Sequence, residues 1–270
     1  MVKRWWRRLT AGAIDDAAAA DASIRAVITR RLVAWQHLDD AERDRLVDIT
    51  AELVRTTRWE AARNFELTDE MVLTIAAHAA LPVLELGAER YREVSTIIVH
   101  PRTIVLTGTQ PGPVPGTMSD DPEHLLGQAH YRGPVLLAWP AVLRQAMRPA
   151  RGEDVVIHEF AHRLDMLDGL VDGTPPLEDS AARERWVSVC TAEFEQLRTG
   201  EPDPLLRRYA ATDPGEFFAV VSETFFTRPG ELEAAKPDLY DVLRAFYRQD
   251  PAARERRSAE RITAEQPLER

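Results

Sequence analysis

Apolar residues recur along much of the chain with the spacing of helices. Between residues 39 and 55, Leu46, Ile49, Leu53 and Val54 share one face, and Asp39-Asp40-Ala41-Glu42 provides a capped, acidic start. The spacing predicts helix throughout 13–57. A second helix is expected over 68–79, with Thr68 as cap and Met71, Val72, Ile75 and Ala76 on the buried side. The period then changes. Ile97-Ile98-Val99-His100 and Thr103-Ile104-Val105-Leu106 are β-branched runs around Pro101-Arg102, which predicts two short strands about a turn. Residues 107–123, rich in Gly, Pro, Thr and Asp, predict a long loop. Gly133 to Trp139 is a third strand, ended by Pro140. It reads as a buried strand, with pairing to an extended substrate as the alternative. Helices follow at about 152–167, 180–198, 213–227 and 237–248. From Pro251 onward, Arg and Glu dominate and a solvated or frayed helix is expected.

These elements predict an α+β protein, mainly helical, with a small sheet from the middle of the chain. No linker divides it, so residues 1–250 are expected to form one domain with an N-terminal arm at 1–12, and 251–270 a charged tail. The arm, Met1 to Arg8, is basic with two Trp, but no apolar run long enough for a signal peptide or a membrane span follows it. A cytoplasmic protein is expected.

Composition narrows the chemistry. Apolar residues make up 44% and charged residues 29%, as in ordinary globular proteins. A net charge of -10 argues against general nucleic-acid binding, which needs a basic face. With Cys190 as the only cysteine, neither an intrachain disulfide nor a cysteine-based zinc site can form.

One segment carries reactive groups. Val155-Val156-Ile157-His158-Glu159-Phe160-Ala161-His162 places two imidazoles four residues apart on one helical face, able to reach one zinc ion. Glu159, one position round, is placed to take a proton from a metal-activated water. A third ligand is still required. Asp168 lies six residues past His162, but Asp165 stands where a metzincin-like glycine would be. Asp165 shares the histidine face, so it predicts either an acceptor for a ligand imidazole or plain surface charge. Glu178 and Glu184 bracket the place a thermolysin-like acid would occupy. Further on, the apolar helix after Tyr209 bears Glu216 and Glu223, seven apart on one face, and buried acids need partners. Glu216 is also the third-position acid of a capping box begun at Asp213. Local reasoning leaves Glu216 and Glu223 equal.

Taken together, the His-Glu-x-x-His segment with Leu164-Asp165, the run Tyr209 to Glu223 and Leu81-Pro82-Val83-Leu84-Glu85-Leu86-Gly87 resemble the Mlc titration factor A family. These are bacterial cytosolic zinc peptidases that bind the glucose-responsive transcriptional repressor Mlc. The likeness runs over roughly residues 30–250, and the catalytic core is similar to that of the anthrax lethal factor protease. The resemblance implies a zincin-like peptidase acting on peptides or proteins, with Zn2+ held by His158, His162 and Glu216. It also implies Glu159 as general base and Tyr209 as oxyanion or leaving-group donor, and leaves Glu223 a supporting place. A protein that sequesters a repressor similar to Mlc is the alternative, and the two are compatible.

Overall fold

A computed structural model describes residues 17–62, 65–106 and 133–265, with the short strands between 110 and 129; the N-terminal arm lies outside the described residues. Among the described residues the helices are α1 (Ala17–Arg31), α2 (Asp40–Thr56), α3 (Asp69–Ala80), α4 (Trp139–Ala146), α5 (Val155–Asp165), α6 (Ser180–Thr199), α7 (Pro214–Thr227), α8 (Pro229–Ala235), α9 (Pro237–Tyr247) and α10 (Pro251–Glu265). The strands are β1 (Arg58–Ala61), β2 (Thr96–His100), β3 (Ile104–Leu106), β4 (Gln110–Pro111), β5 (Met118–Ser119), β6 (Glu123–Leu125), β7 (Gly127–Ala129) and β8 (Val135–Ala138). The predicted α+β class, mainly helical around a small sheet, is what forms.

Its main sheet has the order β1-β2-β8-β7. β1, β2 and β8 are parallel, in register Ile97 with Val135 and Val99 with Leu137, while β7 runs antiparallel to β8. Ile97, Val99, Val135 and Leu137 are buried, and α5 lies along β7 and β8. Parallel strands need a crossover element, and α3 supplies it between β1 and β2. β8 is therefore interior to the sheet, as its apolar run suggested. The strand after Pro101 does not join β2; β3 pairs with β6, and β2 takes β1 instead. β1 went unpredicted because Arg58-Trp59-Glu60-Ala61 is too short and polar to signal a strand. Of the predicted loop 107–123, the described parts form β4, β5 and the start of β6.

The predicted helix 13–57 is interrupted. Leu32 turns to an extended conformation, Val33–His37 form a 3-10 turn, and Asp39 is an extended N-cap. There the Asp39 side chain accepts from the Glu42 amide while Glu42 accepts from the Asp39 amide. Such a reciprocal cap needs a non-helical residue at its head, so one continuous helix is impossible. The charged tail also differs from expectation. α10 buries Ala252, Arg254 and Ser258, and Arg254 donates to Glu42 (2.8 Å) and Gln249 (2.9 Å). The buried ion pair ties the end of the chain to the start of α2.

A second buried pair fixes the entrance to α5. His78 of α3 has Nδ1 2.5 Å from Asp154 Oδ2 and Nε2 2.9 Å from the Arg31 carbonyl. Both partners only accept, so both ring nitrogens donate and the ring is an imidazolium. Burial opposes that charge, but Asp154 and the carbonyl outweigh it and raise the His78 pKa. With the folded value above the unfolded value of about 6.5, the stabilisation is complete below that pH and is lost as pH climbs through the raised pKa. His78→Ala should therefore cost most in acid, about 3–5 kcal/mol for breaking a buried pair. Urea melts at about pH 6 and about pH 9 test the sign; a larger deficit at the alkaline end would contradict it.

Candidate metal centre

α5 is set in place from its first turn. Asp154 caps it, Oδ1 accepting from the amides of Val156 (3.0 Å) and Ile157 (3.1 Å), while Gln145 of α4 accepts from the Val155 amide (2.8 Å). Every residue of α5 is buried, because its apolar side chains face the sheet and α3 while its histidines face α7. Near its far end, Arg163 donates to the Gly133 carbonyl beside β8 (2.6 Å). α7 packs against α5 more extensively than against any other helix. Asp213 caps it through the Glu216 amide (2.9 Å), with Pro214 as first residue.

Between these helices His158, His162 and Glu216 converge, their nearest ligand atoms all within 4.8 Å of one another. The two Nε2 atoms are 3.2 Å apart; Glu216 Oε2 is 3.0 Å from His158 Nε2, and Oε1 is 3.6 Å from His162 Nε2. Ligand atoms at about 2.0–2.1 Å from a tetrahedral ion are about 3.3 Å apart, close to the 3.0, 3.2 and 3.6 Å that separate these three groups pairwise. Glu216 Oε2 is buried without a hydrogen-bond partner despite its nearness to His158. An acceptor left in that state is costly unless a cation completes it. The residues present therefore fit a small divalent cation.

The surrounding charges agree. Burial opposes ionisation of Glu216, but the two adjacent imidazoles win and hold its pKa far below the usual carboxylate range. Burial also works against the His158 imidazolium, yet Glu223, Glu216 and Glu159 hold its pKa up near about 10. Glu159 goes the other way: burial pushes its carboxyl up, Glu216 and Glu223 add to this, and the imidazoles only partly oppose them. A carboxylate raised in this manner is a better base.

Glu223 occupies a different position from Glu216. It is fully buried, with Oε1 2.7 Å from His158 Nδ1 and also paired to Arg207, while Oε2 accepts from the Asp154 amide (2.6 Å). It thus fixes the His158 ring through the nitrogen turned away from the cluster. Asp165 is neither a partner of an imidazole nor surface charge. It is buried, accepts from the Gly173 amide (3.0 Å), and burial pushes its pKa to about 6. His162 Nδ1 has no partner among the described residues. Asp168 accepts from the Leu170 amide, Glu178 pairs with Arg248 and Glu184 is exposed on α6, so none of these three enters the cluster. Tyr209, in the turn Arg208–Ala211, is brought beside it: its ring centroid lies 6.0 Å from that of His158, and the residue is 44% exposed.

A profile described as glucose-regulated metallo-peptidase M90 matches residues 3–248. The chain belongs to this family. It is 36% identical to the Mlc titration factor A of Serratia proteamaculans over 85% of this chain and 88% of the relative. The likeness to the Mlc titration factor A of Edwardsiella ictaluri is 34% over 80% and 84%. An uncharacterised protein of Synechocystis sp. matches at 34% over 84% of each chain.

In this M90 chain, sequence reasoning missed three supports of the centre. Asp154 had a visible signal, an acid directly before the apolar run of α5. His78 and Arg207 had none, since their partners lie 76 and 16 residues away in the chain. No helix among the described residues is long and apolar enough to cross a membrane.

Proposed function

We propose that the chain is a zinc-dependent peptidase, with His158, His162 and Glu216 as metal ligands, Glu159 as general base and Tyr209 as donor to the reacting carbonyl. The observation that carries this reading is the His158–His162–Glu216 geometry, with its orphaned Glu216 oxygen, in a metallo-peptidase family. Two imidazoles and one carboxylate are a zinc donor set that leaves a fourth position open. Bound there, zinc would supply Lewis acidity and lower the pKa of a water to about 7.

The chain's own residues do the rest. Glu159, nine-tenths buried or more and raised in pKa, receives the proton of the attacking water and delivers it to the leaving amine. Glu223 keeps the His158 ring oriented and its Nδ1 proton in place. Tyr209, half exposed beside His158, donates its phenol proton towards charge developing on the substrate carbonyl oxygen. Tyr209→Phe should lower kcat by about 10²–10³ with little change in KM, the pattern of a donor used only in the transition state. An unchanged kcat removes Tyr209 from the mechanism.

Incubating the zinc-loaded protein with a peptide library and mapping new termini by mass spectrometry tests the function. Cleavage that a chelator stops supports the reading, and stepwise loss of N-terminal residues would distinguish an aminopeptidase from an endopeptidase. Absence of cleavage in the zinc-loaded protein would sink it.

A second reading rests on the relatives called Mlc titration factor A: the chain also binds a repressor similar to Mlc. Capture of such a repressor that survives Glu159→Gln would place that contact apart from hydrolysis.

A further inference from the structure

Away from the metal centre, a cavity of about 220 Å³ opens between the turn after Leu86, the segment leading into α6, and the faces of α6 and α9. Its floor is apolar, formed by Trp186, Phe246, Leu177 and Leu86. The floor is fixed in advance: Trp186 donates Nε1 to the Gly173 carbonyl (3.0 Å) and meets Phe218 and Phe246 edge-on at 5.5 and 5.6 Å. A cavity so held costs a ligand little reorganisation.

The rim has the opposite sign to the molecule. Arg90, Arg185, Arg244 and Arg248 line the opening together with Glu178 and Asp241, in a chain of net charge -10, and Asp238 adds a third acid beside Arg185. Arg185 (3.5 Å) and Arg244 (2.9 Å) share the carboxylate of Asp241, with Asp238 a longer 3.8 Å from Arg185, and Arg248 pairs with Glu178. Arg90 is half-buried, and its guanidinium has no partner among the described residues. A guanidinium without a partner among the described residues, and two more gathered at Asp241, above an apolar floor, favour an anion with an apolar body.

We propose that this cavity binds a small organic anion, a carboxylate or phosphate group on an apolar, ring-sized body. The body lies on Phe246, Leu177 and Leu86, with the buried Trp186 behind them. Its head takes Arg90 and competes with Asp241 for Arg185 or Arg244.

Calorimetry on the zinc-loaded protein, using phenyl phosphate, N-acetylphenylalanine and inorganic phosphate as probes, tests this. At least one of the two ring-bearing probes should bind saturably, and inorganic phosphate about tenfold or more weakly; the better probe identifies the head group. Arg90→Ala should weaken that binding by about tenfold or more, through loss of a charge-assisted contact. Ala182→Phe, which fills the cavity from its exposed rim, should do the same. Binding that both variants leave intact belongs to the metal centre and overturns the proposal. Equal binding of inorganic phosphate, or no binding of either ring-bearing probe, overturns it as well.

Discussion

Glu159→Gln is expected to abolish peptide hydrolysis, lowering kcat by about 10²–10⁴, while the protein keeps its fold and its full metal content. The replacement has nearly the same shape, so the buried position next to His158 stays filled. Glu159 is not among the three converging ligand groups, so metal occupancy should not change. Only the ability to accept a proton is lost. The thermal midpoint at neutral pH should hold or rise, because burial and the charges of Glu216 and Glu223 all disfavour the ionised carboxyl in the folded state. Hydrolysis within a few-fold of wild type would remove Glu159 as base.

Glu216→Ala and Glu223→Ala should fail in different ways. The first removes a carboxylate whose Oε2 faces His158 Nε2 and whose Oε1 faces His162 Nε2, and the protein should fold but lose its metal. The second leaves the Asp154 amide, Arg207 and His158 Nδ1 without their shared acceptor in a fully buried place. That should cost about 3–5 kcal/mol of stability. Metal affinity should weaken about 10–100-fold but not vanish, as for loss of a group that orients a ligand. Metal analysis beside urea melts separates the two. Full metal in Glu216→Ala with none in Glu223→Ala would exchange their roles.

What the sequence revealed follows from the range of each interaction. His158, Glu159 and His162 are visible because a helix dictates their spacing, and α5, α6, α7 and α9 fall within a few residues of expectation because periodicity and caps are local. Glu216 and Glu223 could not be told apart, since both share the face of α7 that meets α5. What separates them is depth along that face: Glu216 sits opposite the Nε2 atoms, and Glu223, two turns on, sits opposite Nδ1 and the Asp154 cap. Only the packing of one helix on the other sets that difference. The parallel sheet was hidden for the same reason, because β1 and β2 are separated by all of α3. α10 misled by composition: its charge is real, but Arg254 is neutralised by Glu42 from the far end of the chain.

Stoichiometric zinc titration of the chelator-stripped protein, with peptide cleavage followed in the same samples, tests the central claim most directly. Activity should be absent in the stripped protein, rise in proportion to added zinc, and stop rising at one equivalent per chain; undiminished cleavage by fully metal-free protein would contradict the account.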